Sequence, residues 1–258
     1  MKKLIIYIFL LATLVSIALV AKETVNFIKD IILLNNSQTE AIIRQERMLF
    51  PVVKITHVID STDTGSISPP ILASATGFSI GYSASENISL IITNDHFCKE
   101  IKKSSSLIIE NYKNEIIEAV NIDANMRILI TDPSLDLCLL HIHGFITPAI
   151  IADSEFTQQR FEEIFIVGGP AGDFPIIIDT YISSFLNRSD IRIGKINANG
   201  APFLLTSEQI FPGHSGSPIY NEQGEVVGVI FGALPTYGGV GASHKDIYDL
   251  LQNYEDSL

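Results

Sequence analysis

The chain lacks the signatures of repetitive or unstructured architectures. Its 258 residues hold no evident internal repeat and no long Pro-, Gly- or Ser-rich tract, which excludes solenoids and low-complexity tails. Positive charge is scarce, with 17 Lys and Arg against 29 Asp and Glu and a formal net charge of −12. A nucleic-acid partner is excluded on that ground, because such a surface begins with a basic face. The acidic exterior favours basic or neutral substrates only weakly. Cysteine is limited to Cys98 and Cys138. They would either pair in an oxidising compartment or stay as two buried thiols, and free thiols are the expectation. His141-Ile-His143 has strand-like alternation but no evident third ligand, so surface histidines are expected there, and neither a metal nor another cofactor. His57, His214 and His244 carry no assigned chemistry.

What the chain does have is many short Val-, Ile- and Phe-rich runs separated by Gly, Asn, Asp and Pro. That pattern predicts an all-β body, and the length suits one large domain or two small lobes. The N-terminus differs. Lys2-Lys3 precede an uncharged, mostly apolar run from Leu4 to Ala21, near the lower length limit for crossing a bilayer and longer than a usual signal-peptide core. Leu19-Val20-Ala21 is too bulky for good cleavage, and Ser16-Ile17-Ala18 lies inside the apolar run. An uncleaved signal anchor over residues 1–21 is therefore expected, with a cleaved signal as the alternative and a buried soluble helix third. Lys2 and Lys3 favour an N-in orientation, which Lys22 weakens. Both main readings place the body outside the cytoplasm, anchored to the membrane or secreted.

Residues 22–47 carry Val25, Ile28, Ile32, Leu33, Ile42 and Ile43 at roughly helical spacing, with Asn35-Asn36-Ser37 as a break. A helical stalk is expected, self-association or partner binding being the alternative. Pro51 starts the β body, which occupies 48–258. Its lobes are expected at about 48–145 and 146–244, closed by an amphipathic helix over 245–254 with Ile247, Leu250 and Leu251 on one face.

Three segments point to chemistry. Pro212-Gly213-His214-Ser215-Gly216-Ser217-Pro218 sets a serine between glycines, before the apolar run Val226-Val227-Gly228-Val229-Ile230. A nucleophilic serine needs a tight turn and neighbouring N–H groups free to face an oxyanion, here those of Gly213 and Ser215. Ser217 lacks the preceding Gly-x pattern and is the weaker nucleophile. The base candidate is His96, just beyond the apolar run that ends at Thr93-Asn94, at the mouth of a strand. The acid candidate is Asp136, which opens the apolar run Leu137-Cys-Leu-Leu140 and could orient the imidazole; Asp132, before Pro133, reads as a turn residue.

In this order the segments resemble a trypsin/chymotrypsin-fold serine protease of the bacterial Deg/HtrA style. Ala75-Thr-Gly-Phe-Ser-Ile80 resembles that family's Gly-Ser-Gly-Phe strand, and Leu90-Ile-Ile-Thr-Asn-Asp-His96 its Leu-Thr-Asn-Ala-His motif. Asp136-Leu-Cys-Leu-Leu140 is similar to Asp-Leu-Ala-Leu-Leu, and Phe211–Pro218 with the following hairpin to the Pro-Gly-Asn-Ser-Gly-Gly segment. Ile166-Val-Gly-Gly-Pro-Ala-Gly172 and Gly239-Val-Gly-Ala242 are weaker matches. The resemblance covers about residues 48–255 and implies two packed antiparallel β-barrels with a C-terminal helix. It implies a Ser-His-Asp triad acting on a protein or peptide, and no PDZ module is expected after the helix. His214 replaces the trypsin-type Asp, so activation by a new N-terminus is not expected; Ser217 replaces a Gly, and Asp95 an Ala. The resemblance places the substrate pocket at Gln209, Phe231, Gly232, Ala233, Val240 and Gly241. With Gln209 where trypsins carry an acid, a small or medium apolar P1 residue is expected, not Arg or Lys.

Overall fold

The computed structural model describes residues 29, 38–59, 71–101, 106–120, 127–188, 202–208, 210–234 and 238–258. The anchor expected over 1–21 and most of the stalk expected over 22–47 lie outside the described residues. Among the described residues no helix is long and apolar enough to cross a membrane. The chain divides into two compact units, residues 1–44 and 45–258. In the first unit the described residues from 38 onward belong to a helix, α1 (38–49), and Ile42 and Ile43 are exposed.

Residues 45–258 are mostly β, as the short β-branched runs predict. The first sheet comprises β1 (Val52–Ile59), β2 (Ile71–Ser83), β3 (Ile88–Thr93), β4 (Ser106–Asn111), β5 (Ile116–Val120), β6 (Ile128–Asp132) and β7 (Leu137–His143). Its order is β5-β4-β1-β2-β3-β7-β6. The sheet curls so that Glu118 of β5 reaches β7 and the foot of β6. Its carboxylate accepts the His143 N–H at 3.0 Å and the Arg127 guanidinium at 2.8 Å.

The second sheet comprises β8 (Ile150–Ile151), β9 (Glu163–Gly168), β10 (Ile176–Leu186), β11 (Phe203–Thr206), β12 (Pro218–Tyr220), β13 (Glu225–Leu234) and β14 (Gly238–Ser243). Its order is β12-β9-β10-β11-β14-β13-β8, and β12 also pairs with β13. That extra pairing closes β9 to β14 into a barrel, which leaves no free edge on those strands. The parallel β8 adds to β13 from outside.

Each sheet has its own interior. Val53, Ile55, Ile91, Leu107, Ile109 and Leu140 fill the first, and Ile164, Ile166, Leu204, Ile219, Val227 and Ile230 the second. A further core draws on both sheets. Phe78, Ile92 and Leu139 meet Val167, Tyr220 and Val229 there, together with Ile247 and Leu250 of helix α3 (His244–Glu255). The N-terminus of α3 is held by the Asp246 carboxylate, which accepts the Ser243 N–H at 2.9 Å and pairs with the buried Arg188 guanidinium.

Two local features depart from expectation. A short helix, α2 (Asp95–Ile101), follows β3 at once, with Phe97, Cys98 and Ile101 buried. Seven residues are too few to show a helical period in sequence. The cysteines are not free thiols, for Cys98 of α2 is disulfide-bonded to Cys138 of β7, with 6.5 Å between their Cα atoms. The cause is register. Thr93 stands opposite Cys138 in the β3–β7 pair, so the first turns of α2 fold back over β7.

This bridge closes a 40-residue separation. Replacing both cysteines with alanine is expected to lower unfolding stability by about 2–4 kcal/mol, read from urea midpoints under oxidising conditions. Unchanged midpoints would mean that the bridge does not constrain the unfolded chain.

Candidate active site

The antiparallel register of β3 and β7 brings two of the candidate residues together. With Thr93 opposite Cys138, the chain leaves β3 and enters β7 at the same end. His96 lies in the first turn of α2, two residues before Cys98, and Asp136 lies two residues before Cys138. The histidine thus lies just past the end of β3, as expected, but in the first turn of a helix. Asp136 takes a left-handed backbone with φ 52°, which Asp tolerates better than most residues. One carboxylate oxygen accepts the His96 backbone N–H at 2.9 Å and the other meets Nδ1 of the imidazole at 2.7 Å. The Asn94 amide donates to the Asp136 carbonyl at 2.9 Å. Asp132 works as a turn residue, one carboxylate oxygen accepting from the Ser134 N–H and hydroxyl at 2.8 and 2.6 Å.

Ser215 comes from the other sheet. Its Oγ lies 3.1 Å from Nε2 of His96. The chain before it makes a β-turn in which the His214 N–H donates to the Phe211 carbonyl at 3.1 Å. Pro212 and Gly213 are the central residues, and Gly213 has φ 103°. Proline first and glycine at positive φ second are the requirements of a type II turn. Among the described residues, neither the Gly213 nor the Ser215 N–H donates to a protein acceptor. The segment after the serine pairs with β13, through the Gly216 N–H to the Ile230 carbonyl at 2.8 Å and the Ile230 N–H to the Ser217 carbonyl at 2.9 Å.

The electrostatics favour a charged His96. Its hydrogen bond to Asp136 holds the imidazole pKa above the ordinary 6.5, burial working against this. Asp95 is buried with its carboxylate turned to the Lys99 ammonium, and of the effects on His96 it is the smallest. His214 is fully buried and its Nδ1 lies 3.1 Å from the Phe211 carbonyl; burial pushes its pKa down. His57 is also buried, edge-on to Phe97 behind α2. His141 and His143 lie on β7 with ring centroids 6.3 Å apart, and no group of three possible metal ligands occurs among the described residues.

Two cavities flank the Ser215–His96 pair. One of about 200 Å³ is lined by Ile210, Phe211, Pro212, Ser215, Ile230, Gly232 and Ala233. No charged side chain lines it among the described residues. A wider cleft of about 510 Å³ runs past His96 and Asp136, between Pro133, Ser134 and Leu135 on one side and Phe203, Phe231, Leu234 and Val240 on the other. Gly232 and Ala233 border both. Gly241 departs from expectation. A side chain there would meet Ile219 and Val229 inside the barrel, so it borders neither cavity. Gln209 lies outside the described residues. Ile210 and Ile230, which the sequence reading missed, line the smaller cavity; their positions beside Gln209 and Phe231 were the available signal.

The family described as "Trypsin-like peptidase domain" matches residues 75–229. A probable periplasmic serine endoprotease, DegP-like, of Pseudomonas fluorescens is 30% identical over 133 residues, covering 51% of this chain and 27% of that protein. Serine protease Do-like HtrB of Bacillus subtilis is 29% identical over 144 residues, covering 54% and 29%. The chain therefore spans less than a third of the length of these curated relatives. An HtrA-type protease solved with a tripeptide superposes with a TM-score of 0.60 at 16% identity, covering 81% of this chain and 61% of that one, which is a likeness of fold. Since the family match runs over more than half of the 258 residues, the chain belongs to the trypsin-like peptidase domain family.

Proposed function

We propose that the protein is a serine endopeptidase working by acyl transfer through Ser215, His96 and Asp136. The observation that carries this reading is the unbroken line of contacts, 2.7 Å from Asp136 to Nδ1 of His96 and 3.1 Å from Nε2 to Ser215 Oγ. Neutral His96 takes the hydroxyl proton at Nε2 as Oγ attacks the peptide carbonyl carbon. It then passes that proton to the leaving amine as the C–N bond breaks. Asp136 keeps the imidazole in the tautomer that exposes Nε2 and stabilises its charged form. The Gly213 and Ser215 N–H groups receive the oxyanion. Water then releases the acyl group by the reverse sequence.

The smaller cavity takes the P1 side chain, and its aliphatic lining of Ile210, Ile230 and Ala233 suits small or medium apolar residues. Neighbouring substrate side chains lie along the wider cleft past His96, which Asp95 and Lys99 line together with Phe203, Phe231 and Leu234. The disulfide suits an oxidising compartment outside the cytoplasm, and the cited Pseudomonas relative is itself described as periplasmic. Attachment by the apolar run Leu4–Ala21, with secretion as the alternative where that run is cleaved, and a helical stalk over residues 22–47, with self-association as its alternative, complete the proposal and rest on the sequence pattern.

The direct test is labelling of the folded full chain by a fluorophosphonate, beside Ser215→Ala and His96→Ala. Labelling is expected in the wild type and in neither variant. A folded wild type that stays unlabelled would favour an inactive, binding form of the fold. The P1 pocket has its own test. A side chain at Gly232 would meet open space, so Gly232→Val is expected to lower kcat/KM for a P1 valine substrate about tenfold more than for P1 alanine. Equal losses would place the P1 site elsewhere.

The pH profile follows from His96. Only its neutral form accepts the serine proton, and its pKa is raised above 6.5. Activity is therefore expected to fall on acidification with a midpoint above 6.5. Asp136→Asn removes the cause of the shift. It is expected to move that midpoint down and to cost about 10⁴-fold in kcat. An unmoved midpoint would assign the acid limb to another group.

A further inference from the structure

The strand before the histidine contributes a residue that none of the above assigns. Thr76 of β2 is fully buried and touches the nucleophile segment twice. Its hydroxyl donates to the Gly213 carbonyl at 2.9 Å, and its backbone N–H donates to the Ser215 carbonyl at 2.8 Å. The hydroxyl oxygen also accepts the Gly169 N–H at 3.1 Å, and the Thr76 carbonyl accepts the Thr93 hydroxyl at 2.8 Å. One threonine of the first sheet is thus tied to β3, to the residue after β9 and to the carbonyls of Gly213 and Ser215.

We infer that Thr76 is a positioning residue for the oxyanion pocket, holding the Gly213 and Ser215 carbonyls so that the N–H groups of these two residues converge. The inference rests on the Ser215 reading above. Its physical basis is peptide planarity. The Gly213–His214 peptide is pinned at both ends, its C=O by the Thr76 hydroxyl and its N–H by the Phe211 carbonyl at 3.1 Å. A planar unit held at both ends cannot turn over without breaking both bonds. The Ser215–Gly216 peptide is pinned in the same way, by the Thr76 N–H at its C=O and by the Ile230 carbonyl at its N–H. Of the two donor-bearing peptides, His214–Ser215 is also held at its own C=O, which accepts the Ser217 N–H at 2.8 Å, whereas Pro212–Gly213 takes its direction from the pinned Gly213–His214 peptide that follows it.

Glycines make this approach possible. A side chain at Gly216 would strike the Thr76 carbonyl and the Thr93 hydroxyl, and one at Gly168 would strike the Ser217 hydroxyl and come within 3.1 Å of the Thr76 hydroxyl. Removing the hydroxyl leaves the Gly213 carbonyl and the Gly169 N–H without their partner, and the first of these is the loss that reaches the chemistry.

The experiment compares full-chain Thr76→Val, which keeps the shape and the backbone N–H, with Thr76→Ser, which restores the hydroxyl. Three quantities are read on each folded protein: kcat and KM for a P1 valine peptide, the inhibition constant of the matching peptide boronic acid, and the thermal midpoint. Thr76→Val is expected to lower kcat about ten- to a hundredfold with KM within about twofold, less than the 10²–10³ of losing an oxyanion donor outright. The boronic acid, whose adduct fills the oxyanion pocket, should weaken by the same factor, and Thr76→Ser should recover most of both. Thr76→Ala gives the same readout where the valine variant folds poorly. A folded Thr76→Val with unchanged kcat and boronate affinity, a change confined to the thermal midpoint, or a rise in KM alone would overturn the inference. A wild type that neither hydrolyses peptide nor takes a fluorophosphonate would overturn the Ser215 reading, and this inference with it.

Discussion

The proposed chemistry is divided between two sheets, and the seam joining them is the constraint on which the rest depends. His96 and Asp136 leave the first sheet from adjacent strands, whereas Ser215 sits on a turn entering β12 of the second. The 3.1 Å contact between His96 and Ser215 therefore spans the seam. A misplacement of about 1 Å can cost about 10²-fold in rate, so the seam must be stiff. It is filled by side chains of both sheets and α3, Phe78 and Leu139 against Val167 and Val229 with Ile247. It is also pinned by the bond from the Thr76 N–H to the Ser215 carbonyl at 2.8 Å. Gly216, with φ 83° and no room for a side chain beside Thr76, is what lets the two backbones meet.

The departures from the family pattern become intelligible at the same seam. Where trypsin-type sequences carry an acid, His214 is buried and folds Nδ1 back to the Phe211 carbonyl at 3.1 Å. Burial pushes its pKa down, so the position favours an uncharged ring where those sequences carry a charged acid. Ser217 fits because the facing residue is Gly168, whose side chain would otherwise occupy the position of the Ser217 hydroxyl.

The mostly β body was legible in sequence because its β-branched runs are short and separated by turn residues. The three candidate site residues were legible because each stands where an apolar run meets a turn. His96 follows Ile91-Ile92-Thr93, Asp136 precedes Leu137–Leu140, and Ser215 stands among glycines. Features set by non-local register were not. The Cys98–Cys138 bridge depends on Thr93 facing Cys138, a pairing across about 40 residues that no local pattern encodes. Helix α2 is too short to display a period. Gly241 alternates with Val240 along β14, and only strand direction decides which of them faces the cleft. Thr76 read as one residue of a strand motif, since its partners at Gly213 and Ser215 lie some 137 positions or more further along.

The central claim is that Ser215 and His96 act on one substrate carbonyl. Its most direct measurement is peptide mapping of the folded full chain after reaction with a peptidyl chloromethyl ketone ending in valine. Such a reagent seats its carbonyl at the nucleophilic serine and then alkylates the adjoining imidazole. The account predicts a single adduct at Nε2 of His96 that is lost in Ser215→Ala. An adduct that persists without Ser215, or one that forms at His141, His143 or another exposed side chain while His96 stays unmodified, would contradict it.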